Sequence, residues 1–200
     1  MTMSWFDKVK ASVEWDTVDH TQISKLRQCV DPDLHEIVEG LGKYLVQFKN
    51  TQPLLANARF VKRLHSVLQE WLTGPLEGTF DEAYAQARQA LVHRLIEVDV
   101  TFEDVILLEG LTRKKLLEVA QVRQNGGSEP LSDMMHALDK VLCLDLALIH
   151  NGYNQIRDAE IERSLLDRFL AVTGFSRTLY ENLAEAQEWN SVRLQQTRMS

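Results

Sequence analysis

The sequence predicts an all-α fold. Apolar residues recur at helical spacing along most of the chain, and no stretch alternates like a strand for more than a few residues. Proline and glycine, four and nine in 200 residues, fall mainly between the periodic runs. That length suffices for one domain with an extension and a substantial core. A composition of 44% hydrophobic and 26% charged residues is that of a globular chain rather than a disordered one.

A short amphipathic helix is expected over residues 4–13 and a second over 21–30. Asp31-Pro32 reads as a start signal, with Asp31 as N-cap and Pro32 at the first helical position of a helix over 32–50. Leu34, Ile37, Val38, Leu41, Leu45 and Phe48 form its stripe. Residues 50–53, Asn-Thr-Gln-Pro, break it. The next helix, 59–72, turns Val61, Leu64, Val67, Leu68 and Trp71 inward and is expected to close at Thr73-Gly74-Pro75, with Gly78 ending the link.

The rest of the chain is organised around residues 80–100, FDEAYAQARQALVHRLIEVDV. Asp81 and Glu82 give it the acidic first turn that suits the positive end of a helix dipole. Tyr84, Ala87, Leu91 and Leu95 form its expected stripe. His93, near Ile96 and Gln89 in angle, is expected at the edge of the buried face, where an imidazole either caps the core or reaches into a cavity. By residue type alone, such a histidine is more often a boundary residue than a ligand.

Thr101 caps the following helix, with Asp104 at capping-box spacing. That helix, to about residue 122, is apolar on more than one side, as a central or interface helix would be. Residues 125–130 form the clearest loop, and 132–157 the next long helix. Residues 159–200 continue an apolar stripe through Ile161, Leu165, Phe169, Val172 and Phe175, then Leu179, Leu183 and Ala186. They read as a long helix or a helical hairpin, either folded over the core or pairing with a copy of itself as a signalling linker.

Charge and cysteine content exclude several classes. A net charge of −7 argues against binding driven by phosphate neutralisation or by an anionic membrane. Cys29 and Cys143 make no CxxC or CxxCH pattern, so covalent c-type haem is excluded and no disulfide scaffold is indicated. The N-terminus has no signal-peptide core, and the run from Val141 to Ile149, interrupted by Asp145, is too short to span a bilayer. The expected location is cytoplasmic. His20, His35, His136 and His150 show no metal-ligand spacing with one another and read as surface or boundary residues.

The run FDEAYAQARQALVHRLIEV, preceded by FVKRLHSVLQEWL, resembles the sensor globins, the protoglobin-like domains of bacterial globin-coupled sensors. The resemblance spans about Asp31 to Arg157 and is strongest between Phe60 and Val100. It implies a globin-like fold of sensor type over residues 1–158, followed by a C-terminal helical extension over 159–200. It further implies non-covalent haem b, with His93 as the proximal iron ligand and Ile96 beside it. Leu64 and Leu68 would form the apolar distal wall, which keeps iron dry. Gln89 would then hold the free nitrogen of His93.

One departure stands out. IVEGLGKYL places Leu41-Gly42 where the family carries Phe-Tyr, with Tyr44 two residues on. Losing that hydroxyl donor would weaken oxygen binding by ~1–3 kcal/mol, the range for a hydrogen bond to a polar or charged group. Carbon monoxide and nitric oxide become comparable ligands, and His65, next to Leu64, is a candidate sixth ligand. The expected function is a non-enzymatic gas or redox sensor, signalling through a helical homodimer interface to a separate protein partner. The alternative is a globin-fold interaction module of stressosome type, without haem. An enzymatic reading lacks any distal acid–base pair.

Overall fold

The computed structural model describes residues 3–48, 57–77, 79–123 and 131–183. The expected breaks at 50–53 and 125–130, Gly78 and Ala186 lie outside these. All regular structure among the described residues is helical.

Helix α1 (Trp5–Ser12) starts at a capping box in which Ser4 Oγ accepts from the Asp7 amide at 3.0 Å. Helix α2 (Thr17–Val30) begins one turn earlier than periodicity suggests. Asp16 accepts from the Val18 and Asp19 amides at 2.7 and 3.0 Å, and the Asp19 carboxylate in turn accepts from the Asp16 amide at 3.0 Å. Asp31 is not an N-cap. Its backbone is already helical, at φ −49 and ψ −42, and Asp31–Asp33 form a single 3-10 turn joining α2 to α3 (Leu34–Phe48).

Helix α4 (Ala58–Leu76) does not stop at Thr73-Gly74-Pro75; it carries Pro75 buried in its last turn. Proline has no N–H, so the carbonyl of Trp71, four residues back, is left without its helical donor. A side chain of the next helix supplies one, as described below. Helix α5 (Glu82–Glu97) starts at Asp81, whose side chain accepts from the Tyr84 amide at 2.9 Å. It ends at Asp99, held at φ 58, with the Val100 amide returning to the Leu95 carbonyl at 2.9 Å. Thr101 and Asp104 form the expected box ahead of α6 (Phe102–Arg123). Helix α7 (Leu131–Thr173) runs 16 residues beyond the expected end at 157 and stops at Gly174, whose φ of +72 suits glycine.

Helix α3 packs on α4 and α6, α2 on α4 and α6, and α4 on α5. Leu68, Leu91, Leu95, Leu108, Leu138 and Leu144 are fully enclosed. Each is worth ~1.5–3 kcal/mol of burial before the entropy of ordering it is subtracted.

The chain divides into two compact units, Met1–Asn154 and Gln155–Ser200. In the second, the end of α7 and the helical residues 177–183 fold back on each other about Gly174. Phe169 lies 6.3 Å from Phe175 and 6.4 Å from Tyr180 between ring centroids, and Arg177 pairs with Asp167.

Candidate functional site

Helix α5 owes its orientation to a buried polar cluster. Tyr84 Oη donates to Asp145 Oδ1 at 2.6 Å, and Arg88 Nη2 donates to Asp145 Oδ2 at 2.5 Å. Arg88 Nη2 also donates to the Trp71 carbonyl at 3.1 Å, and Nη1 to the Glu70 carbonyl at 3.3 Å. Thus the acceptor stranded by Pro75 is satisfied by α5. Gly74 makes room for this: a Cβ there would sit 2.7 Å from Arg88 Nη1. Arg88 Nε lies 2.5 Å from Asp145 Oδ1 but is not aligned to donate.

A buried guanidinium would tend to lose its proton through desolvation, but the Asp145 charge holds Arg88 above its ordinary value. Burial, reinforced by Asp145, pushes the Tyr84 phenol well up, so it stays a neutral donor. Glu109 of α6, facing the same carboxylate, is pushed up to about 7, mainly by burial and then by Asp145. The cluster is sealed, and it couples α4, α5 and α7 rather than presenting a reactive group.

With Arg88 drawn inward, the buried face of α5 is Tyr84, Ala85, Arg88, Leu91, Val92 and Leu95; Ala87 is exposed. His93 is therefore not at the edge of the buried face but on the exposed side, about 160° around the helix from Leu95 at 100° per residue. Leu95 is 0% exposed, whereas Ile96, beside His93, is 43% exposed. Gln89 is half-buried.

The other expected site residues gather elsewhere. Leu41, Leu64 and Leu68 are buried, and a Cβ on Gly42 would meet Leu68 Cδ1 at 3.8 Å, so Leu68 faces α3. His65 also turns toward α3, its ring 5.1 Å from that of His35, with Nε2 buried and without a hydrogen-bond partner. Tyr44 lines a groove of about 500 Å³ between α3 and α6, with Ile37, Leu41 and Leu111. The side of α4 that meets α5 carries Arg63 and Glu70 instead. Arg63 pairs with Glu97 at 3.3 Å, and Glu70 with Arg94.

These residues do not fit a haem ligated from α5. A ligand must come from the inward stripe, and leucine, arginine and a neutral buried tyrosine offer iron no imidazole or thiolate. The histidine that could serve faces away. Among the described residues, no group of three or more His, Cys, Asp or Glu side chains could hold a metal ion.

Sequence reasoning missed Arg88, Asp145 and Glu109. The signal for two of them was present. Asp145 is the one charge in the apolar run from Val141 to Ile149, and Arg88 completes the i, i+4, i+7, i+11 series with Tyr84, Leu91 and Leu95.

Among the described residues, helices α1 to α7 in this order, with α3 packed on α4 and α6 and α4 on α5, define a globin-like domain of the sensor type. The Protoglobin family model matches residues 2–158, and the chain belongs to that family. A similar solved structure is the globin domain of the Geobacter sulfurreducens globin-coupled sensor, with a TM-score of 0.64 at 18% identity. The match covers 76% of this chain and 99% of that one, and at that identity it speaks for the fold. No curated protein matches. Domains of this family are in general ligand-binding rather than enzymatic, and haem is their general cofactor.

Proposed function

We propose that this chain is a sensor-type globin domain that works as a protein-interaction module, without haem held through His93. The observation that carries this is the outward face of His93 against the enclosed Leu95. Its input reaches the core through α4 and α5, and the Arg88–Asp145 joint hands it to α7. The output is a contact with a second copy or with a separate signalling protein, in the cytoplasm. No helix among the described residues is long and apolar enough to cross a membrane. The net charge of −7 keeps nucleic acid out of the account.

Family membership favours a second reading: non-covalent haem b on His93, a diatomic gas (O2, CO or NO) as ligand, and Leu41, Gly42, Leu64, Leu68, His65 and Ile96 around it. Thermal unfolding separates the two. A ligand that binds only the folded state raises its stability, by ~2.7 kcal/mol at a hundredfold excess over Kd. The chain purified without cofactor should melt cooperatively, at a temperature that stoichiometric hemin leaves unchanged. A rise of several degrees with hemin, abolished in His93→Ala, would sink the cofactor-free reading.

A further inference from the structure

We infer that the helical hairpin of the second unit is a self-association surface whose occupant is the same hairpin of a second copy. This holds whether or not the globin unit takes a cofactor. Ile161, Leu165 and Val172 fall within about 40° of one another around α7 at 100° per residue. They are 50%, 59% and 87% exposed. Phe169 and Phe175 border this stripe, and Leu179 and Leu183 extend the apolar surface onto the helical residues 177–183; all four are exposed. Two short helices bury too little in each other to enclose such side chains, whereas two hairpins side by side make a four-helix bundle with an interior.

Area and charge both select a second copy as the occupant. The exposed apolar side chains present on the order of 800 Å², about what each partner gives to a standard stable interface. A face that meets its own copy must not repel itself. By the same geometry the stripe is flanked by Asp158 and Glu162 on one side and by Arg157 and Arg168 on the other, rather than by a rim of one sign.

The test is the solution mass of the full chain by light scattering at micromolar concentration. The wild type is expected at twice the 23.0 kDa chain mass. Leu165→Glu with Val172→Glu should halve that mass and leave the far-ultraviolet helical signal unchanged. Ile106→Glu with Leu107→Glu, on the exposed face of α6, should leave it doubled. A wild type at the mass of one chain, or a Leu165/Val172 variant that stays doubled, overturns the assignment, as does loss of the dimer in the α6 variant. A second measurement does not depend on the charged variant folding. With Cys29→Ser and Cys143→Ser removing the native thiols, Leu165→Cys should form a disulfide-linked dimer on mild oxidation; a product that remains a single chain also overturns it.

Discussion

Asp145 holds α5 in place at the residue scale. Removing one member of a buried ion pair leaves the other charge unpaired, at ~3–5 kcal/mol. Asp145→Ala is therefore expected to lower the unfolding free energy by about that much, measured by urea denaturation, and Tyr84→Phe by only ~1 kcal/mol, for one lost hydrogen bond. Equal effects from the two would mean that Arg88 is not the principal partner. Glu109 gives the pH dependence. Its folded pKa of about 7 exceeds the ordinary glutamate value of 4.5, so between those values the folded state binds the extra proton. Stability from this group is full below about pH 4.5 and is lost as pH rises through 7. Glu109→Gln, which cannot ionise, should flatten the stability profile between pH 5 and 8; an unchanged slope would place the titration elsewhere.

At the scale of elements, two glycines mark close approaches between helices. A Cβ at Gly152 of α7 would stand 2.8 Å from Val92 Cγ2 of α5, and one at Gly74 would press on a guanidinium already held by Asp145 and two carbonyls. Overpacking of this kind costs ~1–3 kcal/mol. Gly152→Ala should lower the melting temperature by several degrees, while Gly40→Ala, with open space around it, should not. Helix existence was legible in the sequence, because long apolar periodicities survive any tertiary context. Some of the ends and one face were not. Asp31 reads as a cap, yet the chain turns there without leaving helical dihedrals. Pro75 reads as a stop, yet Arg88 satisfies the carbonyl it strands. Arg157 reads as the end of α7, yet that helix runs on to Thr173. The face of His93 was misread because the buried stripe was drawn through Ala87 rather than through the charged Arg88. Its partner Asp145 is 57 residues away, and no local pattern shows that pairing.

For the whole molecule, the family and the all-α architecture agree with what the residues announce, while the site turns on which side of one helix faces the core. On the proposed reading the globin core is closed by Leu91 and Leu95, with α5 tied to α7 through Asp145. The most direct measurement is the visible spectrum of the purified chain with added hemin, beside His93→Ala. The account predicts that wild type and variant give the same broad absorption, with no sharp Soret band and no shift on reduction and carbon monoxide. A sharp Soret band in the wild type that shifts with carbon monoxide and disappears in His93→Ala would contradict it and make His93 the iron ligand of a haem sensor.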